Sequence, residues 1–360
     1  MRFGEVFLWL TFFSALIAIY FSFKSFRNSS GSFIEVSRKT TFLTFLMASF
    51  SFFSFSISCF LSDSSLFYSY AHSLPSYPWY FKLSSIWAGQ SGSFFLWFYV
   101  IISLLLLIEF RWPKEFRETD FFSVTKLSVL FIFVSFVLLL ISTDAFRTTE
   151  QALRNFALQN PDISNSAQIS TLKMYYPRGW MMNSMLLSPW MVIHPPIIFV
   201  GYAAFTIPLA STFGFAVTGS GDWSRLSKVW SRVGWFFLSL GIGIGAYWAY
   251  VTLGWGGYWG WDPVESSSLL PWLTATAFLH LQIWYIKTNK FRCLAHIFSL
   301  ITFILVIFAT FVTRGGLNLS SVHSFAQLAK PTFLVLITLL IGVSGTGSIL
   351  LWLRMKREKK

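Results

Sequence analysis

The chain has 360 residues, 55% of them hydrophobic, 20% aromatic and only 11% charged, with a mean hydropathy of +0.61. These values exclude soluble enzymes and disordered chains and point to a polytopic membrane protein. The formal net charge of +13 does not mark a nucleic-acid binder, because Lys and Arg fall in short loops between apolar runs and form no basic face. Nine apolar segments reach the roughly 20 residues that cross a bilayer. In chain order they lie near Val6–Phe23, Thr41–Leu61, Ile86–Ile108, Val124–Ser142, Met191–Val217, Val229–Leu253, Leu269–Ile286, Cys293–Val312 and Thr332–Leu353. The expected fold is therefore all-α, a membrane helix bundle forming a single integral domain over residues 1–360. The first segment has no small-residue cleavage site behind it and is expected to be retained as a span. Cys59 and Cys293 belong to spans whose relevant ends face opposite sides, so apolar packing, not a disulfide, is their expected role.

Charge orients the bundle. Lys24, Arg27, Arg38 and Lys39 follow the first span, and Arg111, Lys114, Arg117 and Lys126 follow the third. Arg225, Lys228 and Arg232, then Lys287, Lys290 and Arg292, then Arg354, Lys356, Arg357, Lys359 and Lys360 complete the set. All five clusters fall on one side, which the positive-inside rule makes cytoplasmic, or matrix if the membrane is mitochondrial. The C-terminus is expected on that side. The N-terminus and the connections 62–85, 143–190, 254–268 and 313–331 are expected outside. The connection 143–190 is polar enough to lie outside the membrane and to hold short helices.

The external stretch from Trp255 to Trp272 crowds Trp255, Trp259, Trp261 and Trp272 together, with Asp262 and Glu265 as its only charges. Gly254, Gly256, Gly257 and Gly260 argue against a helix end within it and for a pliable loop. One or two tryptophans would be ordinary membrane-interface anchors. A glycine-spaced set of indoles suits a flat, apolar, polarisable ligand better, since aromatic faces stack on it and glycines admit it. Of the five histidines, His194 begins the fifth span from outside within H-P-P, and His323 lies in the external loop after the eighth span. Two imidazoles flanking an indole-rich loop form a plausible axial pair for a heme iron. His280 lies within the seventh span, where an ionisable side chain is a functional candidate by default. His296, near the inner end of the next span, is expected to be a helix-end residue, with ligation beside His280 as the alternative. His72 is expected to be solvated. Asp262 and Glu265, with no nucleophile beside them, are expected to anchor the loop or to hydrogen-bond a histidine or indole edge. Arg314 is placed either to meet a heme propionate or to anchor the interface.

W-G-G-x-W-x-W-D-P-V-E at Trp255–Glu265 resembles the tryptophan-rich signature of the heme-handling proteins of cytochrome c biogenesis. H-P-P-x-x-x-x-G-Y at His194–Tyr202 precedes it, and L-H at Leu279–His280 and T-R-G-G-L-N-L-S-S-V-H-S-F-A at Thr313–Ala326 follow. With Leu74–Trp97 upstream, the set is similar to the CcmF family, the membrane component of cytochrome c heme lyase. The resemblance implies that His194 and His323 ligate a transferable heme, with Trp255, Trp259, Trp261 and Asp262 as its platform. It also implies that His280 is one ligand of a second, b-type heme that relays electrons. The implied partners are apocytochrome c, a heme chaperone and other maturation subunits in a cell membrane, with the mitochondrial inner membrane as the alternative. The implied role is to present heme to apocytochrome thiols for thioether formation. Two departures stand out. Gln90 occupies a position where many relatives carry His, and the ninth span ends the chain where full-length relatives continue into a helix bundle bearing the other b-heme ligand. A separate chain is expected to supply that half. The alternative functions are a CcmC-type module that delivers heme to a chaperone, and a quinone- or ion-handling subunit. The second of these should carry mid-span acidic residues, which are almost absent here.

Overall fold

The computed structural model describes residues 3–28, 31–159, 182–220, 222–254, 256–314 and 330–358. All nine expected spans are present as helices, or as one broken helix, long and apolar enough to cross a membrane. The chain is a multi-pass membrane protein.

The first two spans, α1 (Phe3–Asn28) and α2 (Gly31–Phe60), pack through small and hydroxyl side chains. Thr11, Ser14, Ala15, Ala18 and Ser22 are buried on one helix, and Ser37, Thr41, Thr44, Ala48 and Ser51 on the other. Small residues let two backbones approach where no water drives them together. Ser22 and Ser37 share a hydrogen bond of 2.8 Å, and Ser51 donates to the Gly4 carbonyl at 3.0 Å. Several phenylalanines face outward instead, Phe13, Phe23, Phe50 and Phe53 among them, while Phe55 is buried.

Two short helices, α3 (Phe67–His72) and α4 (Trp79–Ala88), fill the first long connection. The third span, read from sequence as continuous from Ile86, is broken. Gly89, extended at φ −110° and ψ −177°, separates α4 from α5 (Gln90–Arg111). Tyr68 satisfies the break, because its hydroxyl accepts from the Gly89 N–H at 2.8 Å and donates to the Ile86 carbonyl at 3.2 Å. Backbone groups at membrane depth need such partners. His72 belongs to the same junction. It stacks on Tyr68 at 4.4 Å and lies against Gly89, half-buried, so the expectation of simple solvation fails.

A single turn, α6 (Lys114–Arg117), leads to α7 (Asp120–Ser142), which is capped by Thr119 accepting the Phe122 N–H at 3.1 Å. α7 forms the core with α5: Phe98 stacks on Phe133 at 4.8 Å and Trp97 packs on Phe136 at 4.5 Å. The helix α8 (Thr149–Gln159) follows. The fifth span comprises α9 (Pro189–Ala204) and α10 (Thr206–Thr218), joined at Phe205. Pro208 accounts for the break, since it can neither donate to residue 204 nor pass its carbonyl without a clash.

The remaining spans are α11 (Trp223–Leu253), α12 (Pro263–Thr288), α13 (Arg292–Arg314) and α14 (Lys330–Glu358). α11 lies close on α9: a Cβ on Gly201 would come 2.9 Å from the Leu238 nitrogen. α11 and α12 are joined by buried polar contacts, as transmembrane pairs often are. Gln282 donates to Ser227 at 2.9 Å and accepts from Ser231 at 3.1 Å, while Trp235 and Trp272 donate to Thr276 and Ser239 at 2.8 and 2.7 Å. Cys59 is buried as expected, but Cys293 is exposed beside Met355, and neither forms a disulfide among the described residues.

The basic clusters gather at one end. Arg292 and Arg354 both pair with Glu358 and both lie over the Phe215 ring. Arg225 lies over Phe116, and Arg38, Arg117 and Lys126 line one small cavity.

Candidate functional site

The site begins with what two prolines do to α9. Pro195 and Pro196 have no N–H to give to residues 191 and 192. The Met191 carbonyl freed in this way accepts the Trp87 indole N–H at 2.9 Å, tying α9 to the end of α4. His194, just before the pair, reaches α11, where its Nδ1 meets the Gly241 carbonyl at 2.8 Å. A carbonyl can only accept, so Nδ1 carries the proton and Nε2 is the nitrogen with the lone pair. The ring fits because of Gly245, one turn beyond Gly241. A Cβ there would lie 2.6 Å from His194 Cε1 and 2.9 Å from Nδ1. Gly241 and Gly245 share a helix face and together form a slot for the imidazole.

His194 opens onto a cavity of about 1160 Å3, counting its mouth. Its walls are mostly apolar: Met191, Ile198 and Phe199 from α9, Trp248 from α11 and Phe94 from α5. Trp259 and Glu265 from the tryptophan-rich stretch close one side, and Thr310 and Thr313 near the end of α13 another.

The loop is shorter than the expected 254–268. Its glycines do stop a helix: Gly254 caps α11 in the left-handed region at φ 65°, a conformation glycine adopts without strain. α12 then starts behind Asp262, whose carboxylate accepts the Val264 N–H at 2.8 Å, with Pro263 at its first position. Glu265 reaches back to accept the Gly260 N–H at 2.9 Å. The carboxylates therefore anchor the loop, one of the two roles expected for them. Trp259 is half-buried and lines the cavity, and its indole N–H has no hydrogen-bond partner among the described residues. Trp261 packs edge-on against it at 6.1 Å but is 75% exposed, with φ 54°.

His194 and Trp259 thus meet in one cavity, whereas Trp261 and Asp262 are beside it and not in its wall. Trp255, His323 and the Arg314 side chain lie outside the described residues. His280 is elsewhere, exposed midway along α12, with Nδ1 at 2.7 Å from the Thr276 carbonyl. His296 is buried, stacked on Phe215 at 4.0 Å, 4.2 Å from Trp223 and 3.3 Å from the Thr212 hydroxyl. Phe278, two residues from His280 and so on nearly the opposite face of α12, also packs toward Trp223, at 6.2 Å. The two imidazoles therefore point to different sides of α12, and the alternative of a ligand pair between them fails. The glycine slot escaped sequence reasoning, although G-I-G-I-G at Gly241–Gly245 is a small-xxx-small pattern that signals close helix approach.

The class these features define is a polytopic membrane protein with an imidazole- and indole-lined cavity at the non-basic end of its bundle. A sequence model for the family described as "Cytochrome C assembly protein" matches residues 87–318. The chain belongs to that family. It is 31% identical over 291 residues to the cytochrome c-type biogenesis protein CcmF of Haemophilus influenzae, covering 79% of this chain and 41% of that one. Against CcmF of Pseudomonas aeruginosa the identity is 31% over 304 residues, 82% of this chain and 43% of the other. The chain thus spans less than half the length of these relatives. Its fold is similar to a solved structure titled "Cytochrome c Heme Lyase CcmF", with a TM-score of 0.74 at 22% identity, covering 97% of this chain and 50% of that one.

Proposed function

We propose that the chain acts in cytochrome c maturation, holding heme at the outer membrane face for transfer to apocytochrome c. The observation that carries this reading is the seating of His194. Its Nδ1 is fixed by the Gly241 carbonyl, Gly245 makes room for the ring, and Nε2, which has the lone pair, would be the metal-binding nitrogen at a largely apolar cavity. The residues present fit heme: a neutral imidazole suits the iron, apolar walls suit the macrocycle, and the Trp259 N–H offers a donor for a carboxylate. Heme supplies the vinyl groups to which apocytochrome thiols add. The protein supplies binding and orientation. His194 holds one axial position, with His323 as the second ligand and Arg314 as a propionate partner. Trp255, Trp259 and Trp261 form an aromatic border, and Asp262 and Glu265 fix the loop that carries them. His280 would hold a b-type heme together with a residue of a partner chain. A heme chaperone and other maturation subunits complete the assembly, in a cell membrane.

The reading is tested by the spectrum of the purified protein. It should retain heme or take up added hemin near one equivalent at the outer site; protein that does neither rejects the proposal. Orientation has its own test. Reporter fusions after Lys126, Arg232, Lys290 and Lys360 should register as cytoplasmic, and fusions near Ser166 and Trp255 as external. One inverted signal among the later sites would move the cavity to the wrong side for apocytochrome.

A further inference from the structure

A second polar cavity lies at the basic end of the bundle, away from His194. Ser22 and Ser25 of α1, Ser37 and Arg38 of α2, Glu109 of α5 and Lys126 of α7 line it, with Arg117 of α6 at its edge. Its enclosed part, about 20 Å3, has room for one water-sized group, and the 320 Å3 counted with the mouth is mostly open. Lys126 lies six residues into α7, about 9 Å along the helix at ~1.5 Å per residue. Glu109 and Lys126 form an ion pair, with side chains only 3% and 5% exposed. The serines are already paired, Ser22 with Ser37 and Ser25 with Ser123.

Two groups in this wall are left without what they need. Glu109 Oε2 is buried and accepts no hydrogen bond from any described residue. A buried carboxylate oxygen in that state carries its full desolvation cost. Arg117 donates through Nε to the neutral Trp112 carbonyl at 3.0 Å, and no described carboxylate pairs with it. Arg38 has Glu35 at 3.2 Å, but Lys39 shares that carboxylate at 3.8 Å. Three cations line the cavity against one lining carboxylate, Glu109, an excess of two positive charges, since Glu35 lies outside the lining and is shared by Lys39. A ligand that completed the wall would bring negative charge to the arginine side and a hydrogen-bond donor to Glu109.

We propose that this cavity binds the headgroup of a glycerol-bearing anionic phospholipid. The phosphodiester, with its single charge, would meet Arg117 and Arg38, and a glycerol hydroxyl would donate to Glu109 Oε2. A zwitterionic ethanolamine head could also donate to Glu109, but it would leave the extra positive charge unmatched. Basic pockets between transmembrane helices on the cytoplasmic side are known to suit anionic lipid heads. The bound headgroup would bridge α1, α2, α5 and α7 and steady the half of the bundle opposite the cavity of His194.

The test is native mass spectrometry of the full chain, delipidated in detergent and then offered phosphatidylglycerol, phosphatidylethanolamine or phosphatidylcholine. One phosphatidylglycerol should be retained at least tenfold better than either zwitterionic lipid. Arg117→Gln should abolish that preference and Arg117→Lys should keep most of it. Both substitutions are at a half-buried surface position, and thermal melting by circular dichroism checks that the variants fold. Equal retention of all three lipids, or full preference in folded Arg117→Gln, overturns the proposal. Displacement by millimolar inorganic phosphate without any lipid preference overturns it too, since the cavity would then be a free-anion site.

Discussion

Replacing His194 with Ala should abolish heme retention at the outer cavity, and with it cytochrome c assembly, while the protein stays folded in the membrane. The folded state loses little. The ring is half-buried and its hydrogen bond to Gly241 is worth on the order of 1 kcal/mol. A bound iron would lose the only imidazole among the described residues of the wall. The same reasoning singles out two glycines that look alike in sequence. Gly245→Ala places a methyl within 2.6 Å of His194 Cε1, so the ring must turn and give up its bond to Gly241. Loss of an orienting contact to a metal-binding histidine typically costs roughly 10–100-fold in affinity. Gly243→Ala is the control, since a Cβ there meets nothing within 4 Å. Hemin titrations of the three variants, read at the Soret band, should rank them His194→Ala worst, Gly245→Ala intermediate and Gly243→Ala unchanged. If His194→Ala still binds hemin normally, the cavity does not use this imidazole. If Gly243→Ala loses as much as Gly245→Ala, the slot is irrelevant.

The sequence made the spans legible because membrane burial demands about 20 apolar residues in a row, a signal that no loop can imitate. His194 was legible for a related reason: a histidine between an apolar run and two prolines has few ordinary explanations. The break at Gly89 was not, since it depends on Tyr68, a residue from a different helix that satisfies the interrupted backbone. The same holds for Gly245, whose role exists only because α9 brings His194 against it. Glycines at 254, 256 and 257 suggested pliability, yet Gly254 terminates α11 sharply through its left-handed conformation. His296 does lie near the start of α13 and is hydrogen-bonded, but its burial was not legible, because depth could be counted from sequence and the face of α13 it occupies could not. Sequence gives distance along a helix well. It gives the partner across the interface only when both surfaces carry a pattern.

That distinction between depth and direction decides the last expectation. His280 and His296 lie at similar depth on consecutive antiparallel spans, yet they should behave in opposite ways when replaced. His280 is exposed on α12, the helix with the smallest buried fraction among the spans, 22% of its most apolar window. His280→Ala should therefore leave thermal stability nearly unchanged, within about 0.5 kcal/mol as for other exposed positions. If, as proposed, another membrane helix covers α12 in the assembled complex, the same variant should there remove the b-type absorbance completely. His296→Ala should do the reverse. Its ring fills a buried space between Phe215 and Trp223, and emptying such a space costs about 2–4 kcal/mol. The b-type absorbance per folded molecule should nevertheless stay at the wild-type level, and His296→Phe should recover part of the stability by refilling the stack. Both readouts come from one preparation, heme difference spectra for ligation and a melting curve for packing. A b-type spectrum present in the isolated chain and lost in folded His296→Ala would restore the internal pair and leave the exposed face of α12 without its heme.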